Sequence, residues 1–252
     1  MITQIQTFFR ELAGSGINLT IFYDAFDFDR FITGLGNTLL LIAASTFFSI
    51  VIGAACAAIL TLSKGPAAAL VRGYVALFRN TPLIVQMYFF YFAIGSIMPV
   101  GRNEIGLPQP LIGSFAWAVI ALSLYSGAFN TETFRAGIGA VHKSYDEAAY
   151  ALGYGRRQAF FAVTVPLALR FSFASLANNL VDLTKATTVA YAVGVAELLY
   201  ASNQIWSDSL NTIEMMNVML VIYLVLTGAV VFIINRVEAA MRLPGFGLGD
   251  GK

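Results

Sequence analysis

The sequence predicts an all-α membrane protein of five transmembrane helices, with its N-terminus outside and its C-terminus inside. Three observations predict this. First, apolar residues make up 58% of the 252 positions and charged residues 12%, against roughly 25% charged in a soluble domain. Second, the apolar residues gather in stretches of about 20 or more, the length a helix needs to cross the hydrocarbon core. Third, basic residues are unevenly placed. Lys64, Arg72, Arg79, Arg135, Lys143, Arg156, Arg157, Arg170, Arg236, Arg242 and Lys252 fall on one side, and Arg10, Arg30 and Arg102 on the other. Excess Lys and Arg marks the cytoplasmic face.

The elements follow in order. Residues 1–30 form an extracytoplasmic segment. Within it Ile2, Ile5, Phe8, Phe9 and Leu12 recur at helical spacing, as in a helix lying on a membrane surface or on a partner. No basic start precedes an apolar run, so no signal peptide is expected. Asp24, Asp27 and Asp29 then crowd the approach to the first span, about 33–62. That span is long enough to tilt, and Lys64-Gly65-Pro66 breaks it. Residues 67–81 connect it to a second span, about 82–99, and a short loop leads to a third, about 111–134. A polar, helix-forming segment fills 140–161. The fourth span is about 171–194. A loop bearing Glu197, Asp208 and Glu214 precedes the fifth, about 215–235. The spans together make one domain, 31–240, followed by a cytoplasmic tail, 241–252.

Several classes are excluded. A net charge of +1 gives no footprint for nucleic acid. Cys56 is the one cysteine, which excludes a disulfide framework and a cysteine-based metal cluster. His142 has no catalytic partner in sequence and reads as a solvated surface residue. No G-x-x-x-x-G-K-[ST] loop occurs, so any ATP hydrolysis belongs to another chain.

Polar residues inside the spans are rare and often functional. Glu132 and Arg135, at i and i+3, can pair as a helix-end salt bridge in a gate region. Gln86 can face the pathway or bond a neighbouring helix. In the fourth span Asn178, Asp182 and Lys185 share one stripe, with Asn179 beside it. Asn offers donors and acceptors, ionised Asp acceptors, and Lys donors. One helix therefore carries both donors and acceptors, which a polar group in a dry site requires. The same stripe also suits a hydrogen-bonded seam between helices or subunits, with Asp182 and Lys185 neutralising each other.

The 140–161 segment has the most specific pattern. Glu147-Ala148-Ala149 is followed after three residues by Gly153, and nine residues later by Val163-Thr164-Val165-Pro166. Glu and Ala favour helix, small alanines allow close approach, and Gly153 can end the helix in a left-handed conformation. The spacing resembles the E-A-A-x3-G-x9-I-x-L-P coupling helix of ABC importer membrane subunits. Gly36-Asn37-Thr38-Leu39, the run from Tyr74 through Phe78-Arg79-Asn80-Thr81-Pro82-Leu83 to Gln86, and Gly127-Ala128-Phe129 with Glu132 and Arg135 are similar to blocks of the polar amino acid permeases. Lys185-Ala186-Thr187-Thr188 matches a K-D-T-S block more weakly. There are departures: His142 and Ser144-Tyr145 replace the usual Pro and Gly-Gln, and Ala186 replaces Asp.

The resemblance implies a type I ABC importer transmembrane domain in a bacterial inner membrane. It implies a second permease subunit, identical or homologous. It implies two ATPases that bind ATP and Mg²⁺, and a periplasmic substrate-binding protein that delivers an amino acid. Glu147, Ala148, Ala149, Gly153 and Arg156 would couple to the ATPase. Arg79 and Pro82, with Glu132 and Arg135, would shape the gate. Asn178, Asn179, Asp182, Gln86 and Lys185 would contact substrate. The alternative is an ion-coupled secondary carrier. Such carriers usually show internal repeats, and none is evident between the halves here.

Overall fold

A computed structural model describes residues 2–102 and 104–241. It is built almost wholly of helices, as expected. Helix α1 spans Ile2–Gly14. Its Phe9 ring stacks on Phe22 with centroids 4.4 Å apart, while Ile5 and Phe8 stay exposed. Helix α2, Ala25–Leu62, begins earlier than the first span expected from sequence. The Asp24 carboxylate accepts from the Phe26 and Asp27 backbone N–H groups at 2.8 and 3.1 Å, which supplies the start signal. The boundary at residue 30 therefore falls inside a helix.

The stretch between the first two expected spans is itself a helix. Helix α3, Pro66–Asn80, opens on a proline, whose fixed φ suits the first helical turn. Helix α4, Leu83–Tyr88, a π-helical turn, Phe89–Ile94, and α5, Gly95–Ile97, follow. The break between α3 and α4 falls at Thr81-Pro82, because proline lacks an N–H and disfavours helix at the preceding residue. Two short antiparallel strands, β1 Val100–Arg102 and β2 Pro108–Pro110, precede α6, Ser114–Ala140.

The polar segment holds α7, Lys143–Ala151, and α8, Arg156–Ala159. From α8 the helix continues through a π turn, Phe160–Thr164, into α9, Val165–Ala186, and a 3₁₀ stretch, Thr187–Val193. The helix that carries the expected fourth span thus begins at residue 156, ahead of the span's expected start at about 171. Pro166 does not stop it, because the π turn re-spaces the carbonyls that a straight helix would drive into the proline ring. The expected loop before the fifth span is also a helix, α10, Leu198–Ser209. Its Asn203, Gln204, Ser207 and Asp208 disguise it in sequence. Helix α11, Thr212–Met241, follows. The tail expected over 241–252, with Arg242 and Lys252, lies outside the described residues apart from Met241.

Among the described residues, Ala25–Leu62, Arg156–Val193 and Thr212–Ala239 are long and apolar enough to cross a membrane, and Leu83–Ile97 is a shorter apolar run. The chain forms two compact units. The first comprises residues to Phe47, Thr81–Ser123 and Leu183–Leu226. One of its cores gathers Leu41, Met87, Leu122 and Leu183, and another Phe31, Leu198, Ile205 and Met215. Polar contacts tie its N-terminal segment to the α10–α11 turn. Arg30 pairs with Asp208 at 2.7 Å, and the Asn211 amide donates to the Asn18 carbonyl at 2.8 Å. The second unit comprises Phe48–Asn80, Leu124–Asp182 and the chain from Thr227 on. It contains α3, α7 and α8, and parts of α2, α6, α9 and α11.

Candidate functional site

Helix α7 is a short lever with both ends fixed. His142 caps its start: the imidazole Nδ1 accepts from the Ser144 backbone N–H at 3.3 Å. The histidine is exposed, as expected, yet it does the work of an N-cap residue, which the sequence did not reveal. At the other end Gly153 has φ +85°. Its N–H donates to the Tyr150 carbonyl at 2.9 Å, and the Tyr154 N–H to the Ala149 carbonyl at 3.0 Å. This paired bonding around a left-handed glycine is a Schellman ending, the role expected of Gly153. The Thr164 hydroxyl donates to the Asp146 carboxylate at 2.8 Å, tying α7 to the π turn after α8.

The lever has an inner and an outer face. Ala149 is buried, whereas Glu147, Ala148 and Arg156 are exposed. Two residues that the motif did not flag join the outer face: Tyr150 is 48% exposed and Leu152 78%. They put exposed apolar surface at the tip of a polar segment. Their signal was apolar residues inside an otherwise polar stretch.

The fourth-span residues divide by role. Asn179 belongs to a seam between α9 and α6. Its amide donates to Asn130 Oδ1 and to Thr133 Oγ1, each at 3.0 Å. Asn130, fully buried, donates on to the Ser49 hydroxyl at 3.2 Å. Thr133 and Ser175 hydroxyls meet at 3.1 Å, and the Ser172 hydroxyl donates to the Thr133 carbonyl at 3.2 Å. Bonds of this kind hold helices together where no water competes. Asn178, Asp182 and Lys185 are exposed on the same helix. Asn130 and Thr133 were missed, because a lone Asn or Thr in an apolar run carries no spacing signal.

Gln86 is buried. Its amide donates to the Thr81 carbonyl at 3.0 Å and to the Thr81 hydroxyl at 2.7 Å, satisfying groups freed by the break at Pro82. These bonds run to a residue five positions earlier, at the break before α4, rather than to a neighbouring helix. Glu132 and Arg135 pair, with Arg135 Nε donating at 3.1 Å. The Arg79 guanidinium lies 5.4 Å from the centroid of the Phe129 ring.

Glu197, wholly buried, caps α10. Its carboxylate accepts from the Leu199 and Tyr200 N–H groups, both at 2.9 Å. Burial pushes the carboxyl above its ordinary value, and the two backbone bonds pull the other way. A carboxyl raised in the folded state contributes stability at low pH that is lost as pH rises through the raised value. Glu197→Ala, which removes the cap, should lower stability by about 1–3 kcal/mol. Glu197→Gln keeps an acceptor and should lose less and flatten the pH dependence. Melting of the purified protein in detergent across a pH series checks both.

The family of binding-protein-dependent transport system inner membrane components matches residues 49–243. This chain belongs to that family. It is 32% identical to the glutamine transport system permease protein of Escherichia coli over 170 residues, 68% of this chain and 74% of that one. It is 30% identical to the arginine transport system permease protein of Bacillus subtilis over 212 residues, 83% and 91% of the two chains. Its fold matches the crystal structure of an amino acid ABC transporter with histidines, with a TM-score of 0.72 at 27% identity over 84% of this chain and 94% of that one. Residues 1–48, which hold α1 and the larger part of α2, and residues 244–252 lie outside the family match.

Proposed function

We propose that this chain is the permease subunit of an ATP-driven importer of amino acids in a bacterial inner membrane. The single observation that carries the coupling is α7. It is a capped, Schellman-ended lever whose Tyr150 and Leu152 are bare, as a surface must be that awaits a partner. Two ATPases dock there and hold the ATP and Mg²⁺. A second permease subunit, identical or homologous, completes the pathway, and a periplasmic binding protein delivers the substrate. The names of the relatives, glutamine and arginine permeases among them, support an amino acid cargo.

In this reading the five spans are α2, the run from α4 to α5, α6, the apolar part of the long α8–α9 helix, and α11, with the N-terminus outside. The eleven-to-three split of basic residues supports that orientation. A reporter enzyme fused after Lys252 should be active in the cytoplasm, and activity confined to the periplasm would invert the topology. On α9, Asn178 and Asp182 are the substrate contacts we assign, since Asn179 is engaged in the seam. Asn178→Ala and Asp182→Ala should each cut uptake about tenfold, the loss of one bond to a charged group. Binding-protein-stimulated ATPase activity should persist, and unchanged uptake in both variants would remove α9 from the site.

The whole reading is tested by purification and transport. An ATPase should co-purify with this chain, and the reconstituted complex with its binding protein should accumulate amino acids only with ATP. Accumulation driven by an ion gradient, without ATP, would place the chain among secondary carriers.

A further inference from the structure

Between α3 and α6 lies a recess of about 440 Å³, lined among others by Arg72, Ala76, Arg79, Asn80, Phe129 and Glu132. It falls wholly within the unit that contains α7. Residues 72, 76, 79 and 80 recur at three- and four-residue steps, so one face of α3 supplies two guanidiniums and an amide. From α6 come an aromatic ring and a carboxylate. Its size lies within the 300–1,000 Å³ common for small-molecule sites.

The chemistry of the lining is two-sided. The Arg79 guanidinium carbon lies 5.4 Å from the Phe129 ring centroid, within cation–π range. A guanidinium carries five N–H donors, and two of them can meet a carboxylate as a fork. Glu132 is paired with Arg135, and a carboxylate has about four acceptor positions, more than one arginine consumes. Arg72 and Arg79 therefore outweigh the Glu132–Arg135 pair by two positive charges, with an acceptor still at hand. A simple anion would use the donors and leave the remaining Glu132 acceptor positions unfilled. A zwitterion meets donors at one end and an acceptor at the other.

We propose that this recess is a second station for the transported amino acid, separate from the residues assigned on α9. Arg72 and Arg79 hold its carboxylate and Glu132 its ammonium group. The proposal rests on the reading of the chain as an amino acid permease. The sequence picked out Arg79 and Glu132 only as gate residues and left Arg72 without a role. A station lined by gate residues gives the substrate a place to pause within the unit that carries the coupling segment.

The test uses the full importer complex, with Cys56→Ser and Ala76→Cys in this chain, reconstituted in lipid nanodiscs. The rate of Ala76→Cys labelling by N-ethylmaleimide is measured alone, with a mixture of the protein amino acids other than cysteine, whose thiol would consume the reagent, and with glycerol 3-phosphate as a stand-in for a lipid headgroup. Uptake from the same mixture is measured in proteoliposomes. The amino acids should slow labelling roughly tenfold at saturation, and glycerol 3-phosphate should not. Arg79→Ala in the same background should abolish the protection, and Arg79→Lys should restore part of it. Retained uptake with unprotected labelling overturns the second station and leaves the function standing. Protection by glycerol 3-phosphate equal to or above that by amino acids makes the recess a plain anion or lipid site and overturns the assignment. A wild-type complex that takes up none of the mixture with ATP fails the underlying function, and the station with it.

Discussion

Gly153→Val should reduce uptake to background, on the order of a hundredfold, while the protein still reaches the membrane in normal amount. The reason is backbone conformation and not crowding. A Cβ at Gly153 meets nothing within 4 Å, but the residue sits at φ +85°. Left-handed backbone costs an ordinary residue about 1–2 kcal/mol, and a β-branched one more. If position 153 leaves that conformation, the bonds from Gly153 to Tyr150 and from Tyr154 to Ala149 are lost. The last turn of α7 then unwinds beneath Tyr150 and Leu152, the two apolar residues that face outward. A lever whose contact surface has moved transmits no stroke. Gly153→Asn is the informative control, because asparagine tolerates the left-handed region and should retain most transport. Normal stimulation of ATPase activity by loaded binding protein in Gly153→Val would show that the end of α7 carries no signal.

Gly137→Leu should be the most destabilising substitution in the second unit. At Gly137 α6 passes so close to α9 that an added Cβ would sit 2.6 Å from the Ala168 carbonyl oxygen and would overlap the Ser172 side chain. The serine could rotate, but the carbonyl is backbone and cannot yield without shifting the helix. Separating α6 from α9 would also stretch the seam built from Thr133, Ser172, Ser175, Asn130 and Asn179. Overpacking of this kind costs roughly 1–3 kcal/mol, and several interhelical hydrogen bonds are strained besides. Gly139, two residues on, has no atom within 4 Å of an added Cβ, so Gly139→Leu should be tolerated. Thermal unfolding of the two purified variants decides the matter, and equal melting temperatures would refute the close-approach account.

The sequence by itself determined the class of this protein, the helix of the Glu-Ala-Ala segment and the chemistry available to it. Apolar runs, sparse charge and the Glu-Ala-Ala to Pro166 spacing are properties of the chain alone, because helix length and burial in lipid follow from composition over about 20 residues. Even the left-handed turn at Gly153 was legible, since glycine is the residue that adopts it without strain. Tertiary structure decided which polar residues are engaged, and where helices stop. Asn179 and Asn178 are neighbours with identical side chains, yet Asn179 bonds Asn130 and Thr133 while Asn178 is exposed. That difference is set by the approach of α6, and no local signal encodes it. Pro82 breaks its helix while Pro166 does not, because a π turn precedes the second. Helix α10 was hidden for the same reason. A helix of 12 residues with a polar face looks like a loop until Leu198 and Ile205 find a core to fill, and that core is assembled from residues far apart in the chain.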